Sequence, residues 1–559
     1  MILLTAQLLL AYLATILCLG STAFLLGGSI GGWAAWLALP LATLGVFFRL
    51  RPRIAVLSQA ILFCLFIIGG ALIIANLFYD VSYDGEVYHQ EAIRQLANGW
   101  NPWHQYLERN MSHSAILLDH YARGPWIYGA AFYSATGQLE TGKAAHLILL
   151  AAALLYSVSA LRQMGSRYLT AWLIAAAVAL NPVAIYQSLS FYIDGQLASL
   201  LLCLAAAAAL YLKGDRRQEI GIVSAIVLAA NVKFTGIVYA VLWSVLFLAA
   251  LWFGHRRDAI RHFVVTALAG GVLGAVVIGW NPYMTNLFYY GHPFYPLYGA
   301  GANNMDIMTL NFPTGFAQLN MLSKLVMANL VESSNGFDNL APILKWPFAL
   351  RPAELAPFVY GADVRLGGFG PWFSGIALLT LLLLPGLVRE RKRTKAALLM
   401  ALAILLTVLI NPEAWWARYA PQIWLLPAVV AWAAFQTDCR WQRFGGVLVL
   451  VAMAVNIFLV GAAYGLGNYY ATSAYRQEAA LLAARPQPLK LWFGVFNSNE
   501  VRMKELGVPF VVADEGPQDD QIDSSFRYRY LVAVHKQPGM VEIFRDEKER
   551  LRRVNNETE

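Results

Sequence analysis

The sequence predicts an all-α polytopic membrane protein that ends in a small α/β domain. Of its 559 residues, 58% are hydrophobic and only 13% are charged, whereas charged residues form roughly a quarter of an ordinary soluble domain. The chain also contains 17 Trp, 27 Tyr and 29 Phe, and many lie near the ends of apolar stretches, where amphipathic rings favour the membrane interface. These observations nearly exclude a soluble globular protein.

The net charge of +8 would suggest a nucleic-acid partner in a soluble chain. Here the basic residues lie in short loops between apolar stretches, where such charge reports the orientation of a membrane protein. We therefore expect a lipid bilayer and no nucleic acid as the partner of this surface.

A helix needs roughly 20 apolar residues to cross about 30 Å of hydrocarbon. By this criterion we count about 13 candidate spans. They are residues 2–27, 30–48, 54–79, 143–161, 168–190, 195–212, 219–232, 236–253, 263–280, 370–388, 396–410, 420–435 and 446–467.

Basic residues recur in six loops that all fall on one side of this topology. They are Arg49, Arg51, Arg53, Arg162, Arg167, Lys213, Arg216, Arg217, Arg256, Arg257, Arg261, Arg389, Arg391, Lys392, Arg393, Lys395, Arg440 and Arg443. The positive-inside bias makes that side cytoplasmic. The N-terminus is then inside, and residues 80–142, 281–369 and 468–559 are outside.

The first span has no basic segment before it and no small-residue cleavage site, so we expect it to be retained. The transmembrane domain is expected to comprise residues 1–467. From 468 to 559 the composition predicts an external α/β domain, with strands at 490–496, 509–513, 530–535 and 540–545 and helices at 472–484 and 498–506. The β, α, β order suggests a parallel pair of strands joined by a crossover.

The first external loop carries a concentration of ionisable residues directly after the third span. The sequence of residues 80–89, DVSYDGEVYH, holds three carboxylates and a histidine. Asp80 could equally be a helix cap. Asp84 and Glu86 begin an amphipathic helix that must lie along the membrane, so a carboxylate at its start would point towards a cavity beneath it.

Three cations lie on the outer side of separate elements, at Arg123, Lys233 and Arg418. Guanidinium and ammonium donors suit phosphate, so together these residues outline an anion site. The alternative for Arg123 and Lys233 is that the side chain simply extends to the lipid headgroups. Asp194 interrupts an apolar stretch near an outer turn, where it would face a cavity or partner, although helix capping explains it almost as well.

A phosphate held at the membrane surface beside a carboxylate suggests a lipid-linked phosphate sugar as substrate. The carboxylate would accept the proton of an attacking hydroxyl, and the cations would stabilise charge on the departing lipid phosphate. The sequence contains neither a G-x-G-x-x-G opening a helix nor a Walker A loop, and no His/Cys cluster with zinc spacing.

These residues resemble the GT-C membrane glycosyltransferases that use polyprenyl-phosphate sugars, especially the protein O-mannosyltransferases and the lipid A aminoarabinose transferase. Five segments match in family order: YDGEVYH at 83–89, RGPWIYGAAFYSATGQLETGKAAHL at 123–147, ALNPVAIYQSLSFYIDGQLASLLL at 179–202, NVKFTGIVY at 231–239 and RYAPQIWLLP at 418–427.

The resemblance implies a set of site residues. Asp84 takes the place of the catalytic base and Glu86 that of its acidic neighbour. The donor phosphate would be bound by Arg123, Lys233, Arg418 and Tyr419, and other parts of the substrates by His89, His120 and Asp194.

Two departures from the family pattern matter. The acidic loop follows the third span rather than the first, so either the first two spans are an added hairpin or our count of spans before the loop is too high. Gly85 splits the usual adjacent acidic pair, so either Asp84 or Glu86 could be the base. No cofactor is certain, and a divalent metal is possible.

The sequence thus predicts an inverting glycosyltransferase of a bacterial inner membrane, acting on its outer face. The acceptor would be a glycan, a lipid or a protein, and the aromatic stretch NPYMTNLFYYGHPFYPLYG at 281–299 would line its groove or anchor the loop at the interface. Two alternatives share the substrate class: a transporter or flippase of lipid-linked sugars, and a polysaccharide polymerase or ligase.

Overall fold

The computed structural model describes residues 1–107, 114–299, 311–335, 341–484, 488–513, 522–523 and 533–535. We number the α-helices of these residues in chain order. They are α1 (Ile2–Leu25), α2 (Gly32–Leu50), α3 (Ile54–Leu77), α4 (Gln90–Ala97), α5 (Ala115–His120), α6 (Gly124–Thr136), α7 (Ala145–Gln163), α8 (Tyr168–Ala179), α9 (Pro182–Tyr186), α10 (Asp194–Leu212), α11 (Glu219–Val232), α12 (Phe234–Phe253), α13 (Arg257–Gly271), α14 (Thr285–Tyr290), α15 (Met321–Leu330), α16 (Ala356–Tyr360), α17 (Phe373–Arg389), α18 (Arg391–Leu409), α19 (Leu425–Gln436), α20 (Arg440–Ala483) and α21 (Asn499–Glu505).

Eight helices in the described ranges are long and apolar enough to cross a membrane. They are α1, α2, α3, α7 with the turn before it, α10, α12, α13 with the turn after it, and α20. The other predicted stretches also form helices, which are shorter or begin with several basic residues: α8 with α9, α11, α17, α18 and α19. The predicted all-α membrane architecture is therefore confirmed, and the chain is an integral membrane protein.

Large apolar side chains remain exposed on the outer faces of the spans. Phe66 and Ile73 on α3 and Val241 and Val245 on α12 are all exposed. Such surfaces would be unfavourable in water but match the hydrocarbon of a bilayer, where every backbone polar group of the helix is already paired.

Helix α1 lies inside the bundle rather than beside it. Most of its residues are buried, and it packs against α2, α3, α6, α7 and α11. Helix α1 is therefore part of the core of this bundle, whether or not the first two spans are an addition to the family pattern. Helix α2 is much more peripheral.

The basic loops meet at one end of the helices. Arg49 pairs with Glu219, and the Arg216 guanidinium lies 2.6 Å from the carboxylate of Asp258. The connections from α3 to α4, α9 to α10, α11 to α12 and α18 to α19 lie at the opposite ends of those helices. Asp84, Asp194, Lys233 and Arg418 come from these four connections or from the first residue of the helix that follows.

The C-terminal region contains a sheet with strand order β2-β1-β4-β3, formed by β1 (Leu489–Trp492), β2 (Phe510–Val512), β3 (Ile522–Asp523) and β4 (Ala533–His535). Strands β1 and β2 are parallel and are joined through α21, as predicted, whereas β4 runs antiparallel to both β1 and β3.

Two details of this region differ from the sequence prediction or lie outside it. The predicted boundary at 467/468 falls inside α20, which runs without a break from Arg440 to Ala483. The predicted helix at 472–484 is formed as the end of α20, and its Tyr475, Ala479 and Leu482 pack with Leu489 and Leu491 of β1. The predicted strand at 540–545 lies outside the described residues.

Candidate active site

A cavity of about 1780 Å³ opens at the end of the bundle opposite the basic loops. Its walls come from the segment after α3, the start of α10, the α11–α12 junction, the α18–α19 connection and α20. Of the sequence-predicted site residues, the cavity is lined by Asp84, His89, Asp194, Lys233, Arg418 and Tyr419.

Asp84 lies at the start of a single π-helical turn, Gly85–His89, that leads into α4. Its carboxylate is 23% exposed and lies 3.4 Å from a guanidinium nitrogen of Arg418. Any side chain at position 85 would overlap the carboxylate of Asp80 and the hydroxyl of Ser82. The glycine that splits the acidic pair therefore allows the side chains of Asp80 and Ser82 to pack directly against this turn.

Arg418 lies at the centre of the charged groups. Its guanidinium is 3.4 Å from Asp84, 3.7 Å from Asp194 and 3.4 Å from Asp363, and the indole of Trp416 lies 4.3 Å from the guanidinium carbon. The residue belongs to a short 3-10 turn, Ala417–Tyr419, in the α18–α19 connection. Three carboxylates from distant parts of the chain thus converge on one cation.

Lys233 is the extended residue at which α11 ends and α12 begins, with φ −160° and ψ 153°. Its ammonium lies 2.6 Å from the carboxylate of Asp194 and 4.0 Å from the ring centroid of Tyr419. A side chain at Gly236 would overlap the carbonyl oxygen of Ala229. The close approach of the two helices beside Lys233 therefore requires this glycine.

Besides Glu413, the cavity is lined by two charged residues that the sequence pattern did not single out, Asp363 and Arg365. The indole nitrogen of Trp416 donates a hydrogen bond to Asp363 at 2.9 Å. Burial raises the pKa of the Asp363 carboxyl although Arg418 opposes the shift, and burial lowers the pKa of the Arg365 guanidinium. Both residues lie in an irregular loop after α16 with no periodicity or motif, so no local signal distinguished them.

Three carboxylates (Asp84, Asp194 and Asp363) and three cations (Lys233, Arg365 and Arg418) therefore face one another here. In the described part of the chain, no group of three or more His, Cys, Asp or Glu side chains is arranged to hold a metal ion.

Glu86, the other candidate base, does not line the cavity. Its carboxylate is fully buried and lies 2.7 Å from the guanidinium of Arg502, a residue of α21. Burial raises the pKa of Glu86 to about 8 even though Arg502 opposes the shift. The sequence could not choose between the two residues as the base, but in the structure only Asp84 faces the cavity.

Of the two predicted histidines, His89 and His120, only one lines the cavity. His89 lines the cavity, and its Nδ1 accepts a hydrogen bond of 2.8 Å from the indole nitrogen of Trp126. Burial lowers the pKa of His89 to about 3, which keeps its ring neutral. His120 lies away from the cavity, with its Nδ1 2.8 Å from the side-chain oxygen of Asn286.

Arg123 is also outside the cavity, contrary to its predicted role as a phosphate ligand. Its buried guanidinium donates to the carbonyl oxygens of Leu118 and Asp119 and to the side chain of Asn281, and it stacks on the ring of Trp100. These contacts join the segment around Arg123 to the segment after α13. In this structure Arg123 holds two loops together, and its donors are used within the protein.

Part of the aromatic stretch at 281–299 does reach the cavity. His292, Phe294 and Tyr298 line it, while Tyr290 stacks on Tyr295 with ring centroids 4.1 Å apart. One wall of the cavity is therefore aromatic, and another is charged.

No protein-family model matches this sequence, and no curated protein sequence matches it. Among solved structures, the chain is similar to two crystal structures of ArnT from Cupriavidus metallidurans. The one bound to undecaprenyl phosphate is 12% identical, with a TM-score of 0.43 over 80% of this chain and 85% of that one. The apo structure is 14% identical, with a TM-score of 0.41 over 83% of this chain and 87% of that one.

Proposed function

We propose that this protein is an inverting membrane glycosyltransferase that moves a sugar from a polyprenyl-phosphate carrier to an acceptor hydroxyl. The observation that carries the proposal is the shared cavity of Asp84, Arg418 and Lys233, which combines an accessible carboxylate with two fixed cations. Each group comes from a different connection at the same end of the bundle.

The cations suit the phosphate of the carrier. Lys233 is 21% exposed on its side chain, more than Arg418 at 10%, so its ammonium can exchange part of its contact with Asp194 for a phosphate oxygen. A sugar phosphodiester carries one negative charge, and the departing lipid phosphate gains a second. The attraction of Lys233 and Arg418 therefore grows as the reaction proceeds, which is the condition for lowering the barrier.

Asp84 is the proposed general base. The acceptor oxygen attacks the anomeric carbon and forms the new glycosidic bond, while the bond from that carbon to the phosphate oxygen breaks. The acceptor proton passes to the Asp84 carboxylate, and the electron pair leaves with the lipid phosphate. A single displacement of this kind inverts the anomeric configuration, and the proton transfer contributes roughly 10²–10⁴-fold to the rate.

The cavity has room for both substrates. Its volume of about 1780 Å³ exceeds the roughly 300–1,000 Å³ of an ordinary small-molecule site. The aromatic wall of His292, Phe294 and Tyr298 suits the apolar faces of sugar rings. We propose a lipid-linked glycan, a cell-wall polymer or a protein as the acceptor.

We place the reaction on the outer face of a bacterial inner membrane. The basic loops lie at the opposite end from the cavity and would face the cytoplasm by the positive-inside rule, so the C-terminal region would be periplasmic. A flippase would instead need its ionisable groups near the midplane of broken, repeated helices, whereas here they gather at one end of the bundle.

The test compares wild-type protein with Asp84→Asn in lipid nanodiscs, using labelled polyprenyl-phosphate sugars and a pool of acceptors. We expect Asp84→Asn to bind the donor and to lose transfer by roughly 10²–10⁴-fold. Asp438→Asn is the control, because Asp438 is exposed at the basic end of the bundle, where it pairs with Arg393. Full transfer by Asp84→Asn would refute the assignment of Asp84 as the base, and lipid scrambling without transfer by the wild type would refute the glycosyltransferase function.

A further inference from the structure

Arg502 is a buried arginine that the proposed chemistry does not use. It lies on α21, in the C-terminal region, yet its guanidinium reaches the segment that carries Asp84. The side chain is fully buried, although a charge is costly to bury unless its partners compensate it.

The partners of Arg502 bracket Asp84 in sequence and in space. One terminal nitrogen donates 2.7 Å to a side-chain oxygen of Glu86, and the other donates 2.6 Å to the carbonyl oxygen of Asp80. That second nitrogen also pairs with Glu140. The hydroxyl of Ser498 adds a 3.1 Å hydrogen bond to the backbone carbonyl of Glu86. The C-terminal region thus holds the chain on both sides of the proposed base.

The same network extends to the phosphate side of the cavity. The Asp80 carboxylate accepts a 2.7 Å hydrogen bond from the backbone nitrogen of Phe191, three residues before Asp194. The backbone nitrogen of Asp80 donates to Glu140, which also pairs with Lys143. Because these groups are buried, removing one partner leaves another charge without compensation.

We infer that Arg502 is a positioning residue, through which the C-terminal region holds Asp84 at the geometry needed to accept the acceptor proton. The inference rests on the proposed role of Asp84 as base. It assigns the C-terminal region a part in the reaction although its described residues touch neither Lys233 nor Arg418. A displacement of about 1 Å in a catalytic group can cost about 10²-fold in rate.

The test uses the full-length protein with Arg502→Gln, Arg502→Lys and the control Lys504→Gln. Lys504 lies on the same helix, but its side chain is exposed and pairs with Glu500. Three quantities are measured: hydrogen–deuterium exchange of the amides of residues 80–89, affinity for polyprenyl phosphate, and kcat for transfer.

We expect Arg502→Gln to speed exchange in residues 80–89 by about tenfold, since it removes charge-assisted hydrogen bonds. It should lower kcat by about 10²-fold with the affinity for polyprenyl phosphate unchanged. Arg502→Lys should recover part of the loss, because an ammonium reaches fewer of these acceptors, and Lys504→Gln should match the wild type.

Unchanged exchange in residues 80–89, or exchange that rises throughout the chain together with a loss of lipid binding, would overturn the inference. The first result would show that Arg502 does not hold residues 80–89 in place. The second would show that Arg502 stabilises the whole fold rather than this segment. If Arg502→Gln loosens residues 80–89 while Asp84→Asn keeps full transfer, the contact exists but the assignment of the base has failed. The two proposals therefore fail separately.

Discussion

Replacing Lys233 with methionine removes the proposed phosphate-binding ammonium while keeping an unbranched side chain. In the wild type this ammonium lies 2.6 Å from Asp194 and 4.0 Å from the ring centroid of Tyr419. After the change, Asp194 keeps Arg418 at 3.7 Å and the amide of Gln187 at 3.3 Å. The buried carboxylate is thus not left alone, and the loss of stability should stay below the roughly 3–5 kcal/mol of an uncompensated charge.

The effect on donor binding should be larger than the effect on folding. A hydrogen bond from a charged donor contributes about 1.5–3 kcal/mol. Its loss should therefore raise the dissociation constant for the carrier lipid roughly 10–150-fold. The departing phosphate gains a further negative charge, so we also expect kcat to fall when the donor is saturating. The loss in kcat/KM should therefore exceed the loss in donor affinity.

The assay measures binding of polyprenyl phosphate to the protein in nanodiscs and then transfer at several donor concentrations. Lys324→Met is the matched control, because that lysine also stacks on an aromatic ring, 3.9 Å from the centroid of Phe312, and does not line the cavity. Equal affinity in Lys233→Met and the wild type would refute the assignment of this lysine to the phosphate. Equal losses in both methionine variants would refute it as well.

Three further changes have defined outcomes. Burial raises the pKa of Glu86 from 4.5 to about 8, so the folded protein keeps a proton that the unfolded chain releases, and stability falls as pH rises between these values. Thermal unfolding of Glu86→Gln should lose this contribution to the pH dependence, which amounts to a few kcal/mol at most. Gly85→Ala would drive a methyl group into the Asp80 carboxylate, so kinetic assays should record a lower kcat with donor affinity retained. Gly236→Ala would overlap the α11 backbone and displace Lys233, so binding measurements should record weaker donor affinity.

Gly69→Ala provides the control for both glycine variants, since a side chain at this position on α3 meets open space. An alanine at position 85 that leaves kcat unchanged would contradict the packing argument for that turn. A Glu86→Gln variant with the same pH profile of unfolding as the wild type would show that this carboxyl is not protonated when folded.

The sequence alone was sufficient for the properties that depend on neighbouring residues. Apolar stretches specify helices that can pass through hydrocarbon, and the structure contains a helix for each predicted stretch. The parallel pair β1 and β2 with its helical crossover also followed from local patterns. The boundary predicted at 467/468, where the composition changes, lies within α20, whose hydrogen bonds continue to Ala483.

Only the tertiary structure shows which of Asp84 and Glu86 faces the cavity. The two residues are separated by one glycine, and nothing in that short segment favours either as a base. What separates them is Arg502, which lies 416 residues away from Glu86 and buries its carboxylate. Arg123 is the reverse case, since its charge suggested a phosphate ligand until Asn281 and two backbone carbonyls were seen to use its donors.

Asp363 is a cavity residue that the sequence pattern did not indicate at all. It joins the cavity only because a loop after α16 packs beside Arg418, and an interaction between residues 55 positions apart leaves no periodic trace in the sequence. Hydropathy, charge bias and turn residues act locally and therefore specified the helices, their order and the candidate cations. The choice of which charged groups face one cavity depends on contacts between distant segments, and only the folded chain decides it.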